Sequence, residues 1–339
     1  MGLFTPILFI FMLLVLIIPH EWGHMMMAKK CGVKVLEFSV GMGPLLYKKK
    51  KGETEYSVRL FPFGGFCRIE GEDEAVDSPT SYSTKSTGQK LAILLAGVGM
   101  NMVIAIVAII ISIAITGVVT NTVGEIMPGR PAENVLQTGD TIISINGEET
   151  KSWNNVADAI NAYEKGDDPL HITYIRDGKT MTADILPKYD KELEDYAIGI
   201  KSQQTRNVWT CAKYVPVGLW DLTKAMLLGF KMIFTGEVGA ADIAGPVGLV
   251  KYVDEAAGYG PASYLILLAL VSLNLVLFNV LPIPGLDGGK ILFTILNRIT
   301  GDKITSEMEY KITAVSMIFI WVLFCGVMIN DMLNLMNYW

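Results

Sequence analysis

The residues best placed to do chemistry stand near the start of the chain, where His20-Glu21-Trp22-Gly23-His24 forms an H-E-x-x-H sequence. On a helix, positions four apart share one face, so both imidazoles can reach a single ion. Two neutral imidazoles at that spacing suit Zn²⁺, and Glu21 sits where it can take a proton from a water activated by the ion. The pattern also arises by chance in many helices, so its surroundings decide what it means. The chain has only three histidines, and two of them are here. Residues 3–19 are apolar except for Thr5, which places the motif near the end of a membrane-spanning helix. Ionisable side chains at that depth are costly without a compensating partner and are functional by default.

A third ligand has to come from elsewhere in the chain. The apolar run 263–281 ends in Asn279-Val280-Leu281-Pro282-Ile283-Pro284-Gly285-Leu286-Asp287-Gly288-Gly289, where prolines and glycines break a helix beside an acid. Asp287 either completes a His₂Asp set, leaving a fourth position for water, or caps a turn or the following helix. Topology favours the ligand. Apolar runs over 4–28, 91–118, 263–281 and 315–335 are each long enough to cross about 30 Å of hydrocarbon. The loop after the first run carries Lys29, Lys30, Lys34 and Lys48-Lys49-Lys50-Lys51 against one acid, Glu37, so it is cytoplasmic by the positive-inside rule. His20, His24 and Asp287 then fall on the same side of the bilayer, while the termini and the 119–207 region lie outside.

Composition agrees with a membrane protein. Of 339 residues 51% are hydrophobic, and mean hydropathy is +0.40. A net charge of −6 argues against nucleic acid as a partner. Cys31, Cys67, Cys211 and Cys325 show no paired spacing, so neither a disulfide framework nor a thiolate metal site is expected. The first run lacks a basic leader and a small-residue cleavage site, and removing it would discard the metal motif, so a cleaved signal is rejected.

The remaining stretches must position this centre. Residues 33–70 alternate partly at strand period and are interrupted by glycines, Pro44 and Pro62, which predicts a small sheet or re-entrant hairpin reaching toward the metal. Ala96-Gly97-Val98-Gly99-Met100-Asn101 allows close helix approach, and Asn101 serves either as interhelical glue or as a substrate contact. Between spans two and three, Gly139-Asp140 and Asn146-Gly147 bracket a strand, a helix follows near 154–163, and His171 lies in another strand as an ordinary residue. Residues 208–235 read as an amphipathic surface helix.

Taken together, these residues resemble the site-2 protease family of intramembrane zinc metalloproteases, of the RseP-like type. His20-Glu21-x-x-His24 matches its metal motif, and Asn279 through Asp287-Gly288 matches N-x-x-P-x-P-x-x-D-G, whose Asp is the third ligand. Ala96-Gly97 to Asn101 matches a core-span motif, Gly124 to Gly147 looks like a PDZ domain, and Ile243-Ala244-Gly245-Pro246-Val247-Gly248 is similar to a G-P-V-G element. Only one PDZ domain fits, where some relatives carry two. The resemblance implies a polytopic α-helical membrane protein of about four transmembrane helices, with a membrane-associated β-hairpin or sheet and one inserted β-rich PDZ domain. It implies one Zn²⁺ per chain, Glu21 as the base, and substrate contacts from Asn279, Asn101, Gly64 and Gly65. Substrates would be single-span membrane proteins already trimmed by an upstream site-1-type protease; anti-sigma factors, signal-peptide remnants and pheromone precursors are the usual types. The expected division is 1–118 and 263–339 for the two halves of the membrane core, 119–207 for the PDZ domain and 208–262 for a connecting segment. A PDZ scaffold with a structural or degenerate metal site is the rival reading, countered by an intact Glu21. A transporter, suggested by the broken third span, lacks repeat symmetry.

Overall fold

The structure, a computed structural model, describes residues 2, 4–72, 76–164, 166–190, 195–237, 245–301 and 303–337. The chain opens with α1 (Thr5–Lys30), β1 (Val35–Lys51), β2 (Thr54–Ile69) and α2 (Thr87–Thr116). Then come β3 (Val118–Ile126), β4 (Thr141–Ile145), β5 (Glu148–Glu149), α3 (Trp153–Asn161), β6 (Leu170–Arg176), β7 (Lys179–Ile185), β8 (Lys188–Asp190), β9 (Asp195–Ala197) and β10 (Ile200–Thr205). It closes with α4 (Val208–Thr235), α5 (Pro246–Gly258), α6 (Pro261–Val280), α7 (Asp287–Thr300) and α8 (Ser306–Asn337). Two compact units result, one of Met1–Ile111 with Leu219–Trp339 and the other of Ser112–Gly218.

Among the described residues, four helices are long and apolar enough to cross a membrane: Thr5–Lys30, Thr87–Thr116, Pro261–Val280 and Glu307–Met332. They coincide with the four apolar runs of the sequence. Their exposed faces are apolar, as Val315, Ile318, Phe319 and Val322 of α8 illustrate, which is stable only against lipid or another apolar surface. Pro6 begins α1, where a missing N–H is harmless, and Lys29 and Lys30 complement the dipole at its end.

Small residues set how closely these helices pack. A Cβ on Gly23 would stand 2.5 Å from the Ala96 carbonyl oxygen, so α1 and α2 touch backbone to backbone. Polar groups bind α6 to both: Tyr264 OH donates to the Leu8 carbonyl at 2.9 Å, and Ser272 Oγ donates to the Asn101 carbonyl at 2.7 Å. Asp331 of α8 accepts from the Gly245 and Gly248 amides at 2.9 and 3.0 Å, pinning the start of α5. The earlier part of that element, 242–244, lies outside the described residues. The amphipathic α7 emerges directly from the Pro282–Gly285 break, as the helix that the sequence reading allowed to follow Asp287.

β1 and β2 form a ribbon with more pairing than a simple hairpin. Val35 to Val40 meet Ile69 to Gly65, while Glu37 to Val40 are partnered a second time by Glu55 to Val58. Beneath it Glu37, 6% exposed, accepts from Ser57 Oγ and Arg59 Nη2, both at 2.8 Å. Burial alone would raise the Glu37 pKa, but these hydrogen bonds and the two nearby arginines outweigh it and hold the carboxyl below its ordinary value.

The second unit is a sheet in the order β10-β3-β4-β6-β7, with β5 on β4. Its core joins Val123, Leu136, Ile142, Ile145, Leu170 and Ile172 to Val156 and Ile160 of α3. Ser152 caps α3 through a capping box with Asn155. Arg176 grips the buried Asp140 with two hydrogen bonds, of 2.8 and 2.6 Å, closing the turn before β4.

Ile172 is fully buried, so Ile172→Ala is expected to cost about 2–5 kcal/mol. Proteolysis of the full chain during heating should show 112–218 being cut at lower temperature than in the wild type. A carboxyl with a lowered pKa stabilises the fold above its unfolded value and loses that contribution as pH falls through the folded one. Thermal unfolding in detergent should therefore show the wild-type midpoint dropping as pH falls below about 4.5, with a smaller drop in Glu37→Gln.

Candidate metal centre

The first span carries His20 and His24 on one face, one turn apart, and the proline-glycine break delivers Asp287 as the first residue of α7. The two Nε2 atoms lie 3.2 Å apart. Each stands 3.3 Å from Asp287 Oδ2. Among the described residues this is the one cluster of three or more His, Cys, Asp or Glu able to share an ion.

The glycines around the break explain the approach of α7. A Cβ on Gly288 would meet the Leu281 carbonyl oxygen at 2.0 Å, and one on Gly289 would meet that of Ile283 at 2.5 Å. The start of α7 is therefore pressed against the Leu281–Pro284 loop, and Lys290 Nζ ties it to Glu72 Oε1 at 2.7 Å. Asp287 is the first helical residue of α7 and Leu286 stands at the N-cap position.

Whether these atoms suit zinc can be judged from their own spacing. Donors about 2.0–2.1 Å from a tetrahedral ion are separated by about 3.3–3.4 Å, close to what is found here. The protons point the same way. His24 Nδ1 lies 2.9 Å from the Ile93 carbonyl, an acceptor only, so Nδ1 carries a hydrogen, and the neutral form of the ring has its lone pair on Nε2, toward Asp287. Asp287 Oδ2 is buried without a hydrogen-bond partner. Electron-rich atoms gathered at this distance are satisfied by a shared cation, and the residues fit zinc.

Glu21, half-buried, adjoins the cluster on α1. Its neighbour across the gap is β2: a Cβ on Gly65 would come within 3.7 Å of Glu21 Cγ, and the Cys67 backbone adjoins the Glu21 carboxylate. The ribbon thus touches the motif. Gly64 instead takes a left-handed turn, φ 93°, against Met42. Asn101 is 1% exposed and reaches His20, with Nδ2 3.4 Å from Nδ1. Asn279 is half-buried near the end of α6 and makes no hydrogen bond to His20, His24 or Asp287. His171 sits in β6, exposed and bonded to Asp184 at 2.7 Å.

Two contacts escaped the sequence reading. The Ile93 carbonyl carries no residue-type signal. Gly97 was legible as a packing residue, but its role is closer to the chemistry, since a Cβ there would lie 2.1 Å from His24 Nε2. Gly97→Val is accordingly expected to displace the His24 ring and leave the purified protein with less zinc than wild type by elemental analysis.

Comparison with known proteins gives a consistent picture. Residues 8–323 match the profile of peptidase family M50. A candidate zinc metalloprotease of Clostridium acetobutylicum is 32% identical over 341 residues, covering 100% of both chains. The regulator of sigma-W protease RasP of Bacillus subtilis is 28% identical, covering 98% of this chain and 99% of its own. The zinc metalloprotease RasP of Bacillus licheniformis is 26% identical over the same shares. Among solved structures, the PDZ domain of the SdrC-like protein of Listeria monocytogenes is 33% identical, covering 26% of this chain and 87% of its own, with a TM-score of 0.21.

Proposed function

The chain belongs to peptidase family M50 and is a multi-pass membrane metalloprotease, and from that premise we propose that it cuts single-span membrane proteins within or near their transmembrane segment. The observation that carries this reading is the triangle of His20 Nε2, His24 Nε2 and Asp287 Oδ2 at 3.2–3.3 Å, set between apolar helices with Glu21 beside it.

In this reading His20, His24 and Asp287 hold one Zn²⁺ per chain. Bound there, zinc supplies Lewis acidity, lowering the pKa of a water and polarising the scissile carbonyl. Glu21 takes the proton from the attacking water and passes it to the departing amine, so that one carboxylate serves as base and then as acid.

A transmembrane helix keeps its carbonyls hydrogen-bonded internally, so the substrate must be locally unwound before it can react. An extended segment regains those bonds by adding as a strand to the ribbon beside Gly64 and Gly65, which stands next to Glu21. Asn279 supplies a further hydrogen bond to its backbone. Substrates of the anti-sigma-factor or signal-peptide-remnant kind, first trimmed by a site-1-type protease, fit this entry requirement. We read 119–207 as the PDZ domain, 208–262 as the connecting segment, and 1–118 with 263–339 as the membrane core. By the lysine-rich loop, the centre faces the cytoplasmic side, and the termini and PDZ domain lie outside.

Glu21→Gln is expected to keep zinc while lowering cleavage of a single-span substrate in proteoliposomes by at least about 10²-fold. A chelator should stop the wild type, and added zinc should restore it. Cleavage by the Gln variant at the wild-type rate would sink the assignment of Glu21.

A further inference from the structure

Besides Asp287 Oδ2, a second buried side-chain oxygen beside the metal centre lacks a hydrogen-bond partner among the described residues. Asn101 lies in the middle of α2, 1% exposed, with its backbone carbonyl taken by Ser272. Its carboxamide nitrogen faces His20 Nδ1 at 3.4 Å, while its carboxamide oxygen is buried with no hydrogen-bond partner. A buried amide oxygen left unpaired costs about 1–3 kcal/mol.

The nitrogen-facing arrangement also has the wrong proton logic. If the amide donates to His20 Nδ1, that nitrogen must be the acceptor, and the ring hydrogen moves to Nε2. Nε2 is the atom 3.2 Å from His24 Nε2 and 3.3 Å from Asp287 Oδ2. An N–H there would block the lone pair just where two other donors converge. His24 shows the opposite arrangement, with Nδ1–H on the Ile93 carbonyl, so that the neutral ring keeps its lone pair on Nε2.

The nitrogen and oxygen of a carboxamide are nearly alike in shape and exchange places by a half-turn about the last side-chain bond. With the oxygen toward His20, Nδ1–H donates to it, the orphaned acceptor is satisfied, and Nε2 turns its lone pair into the triangle. From this we infer that Asn101 is a positioning residue for the metal: its side-chain oxygen accepts the His20 Nδ1 hydrogen and so holds His20 in the tautomer that can ligate through Nε2. The two histidines are then keyed by two different groups of α2, a backbone carbonyl for His24 and a side-chain carbonyl for His20. This inference rests on the reading of His20 as a zinc ligand. Outer partners of ligating histidines typically contribute 10–100-fold in metal affinity.

The test compares full-length wild type, Asn101→Leu and Asn101→Asp in detergent, with zinc affinity read by competition against a chromophoric chelator. Asn101→Leu removes the acceptor at similar size and is expected to raise the zinc dissociation constant about 10–100-fold. Asn101→Asp keeps an oxygen toward Nδ1 and should bind zinc as tightly as wild type or more so. A structural role alone would not separate the two variants in this way. ¹⁵N spectra of histidine-labelled, zinc-free protein provide a second readout, tractable because the chain has three histidines, with His171→Gln identifying the exposed one. At a pH where the imidazoles are neutral, the wild type should show both His20 and His24 protonated on Nδ1, and Asn101→Leu should lose this for His20 alone. Unchanged affinity in Asn101→Leu, equal weakening in Asn101→Asp, or an Nε2-protonated His20 in the wild type would each overturn the inference. A wild type that binds no zinc at all would overturn the metal centre itself and this inference with it.

Discussion

Three electron-rich atoms held about one tetrahedral edge apart, inside a bundle of apolar helices, are the constraint from which the rest of the molecule follows. Among the described residues no hydrogen bond on Asp287 Oδ2 can relieve their mutual repulsion. A cation can. Bringing these atoms together requires α1 and α2 to approach until Gly23 meets the Ala96 carbonyl and Gly97 meets the His24 ring. It also requires a helix that stops abruptly and another that starts at once, which the Pro282–Gly285 break provides.

The same closeness gives the site its order. A helix supplies two ligands at a fixed separation, so little freedom is left for them to lose on binding an ion. Asp287 comes from the far end of the chain, and the start of its helix is fixed by backbone-to-backbone contact at Gly288 and Gly289. The β ribbon lies on the other side of Glu21, where an added strand would reach the base without disturbing the ligands. On the proposed function two tasks are separated, with helices holding the reactive centre and strands offering a surface for an unwound peptide.

Much of this was legible in the residues because the signals are local. His20 and His24 are four apart, so one helix suffices to pair them. Asp287 became readable once the lysine-rich loop set the topology and the prolines located a break on the same side. Gly139-Asp140 and Asn146-Gly147 mark turns whose strands, β4 and its neighbours, carry the buried aliphatics of the sheet unit. What stayed hidden depends on rotation and register between elements. Which way Asn101 turns is set by how α2 faces α1, and the Ile93 carbonyl that fixes His24 is backbone, invisible to residue type. The double partnering of Glu37–Val40 in the ribbon could not be read from an alternation that glycines and prolines interrupt.

X-ray absorption at the zinc edge of the purified full-length protein tests the central claim most directly. The account predicts one zinc with nitrogen and oxygen neighbours only, at about 2.0–2.2 Å, two of them with imidazole scattering. A sulfur neighbour at about 2.3 Å, or zinc with no imidazole scattering, would contradict it.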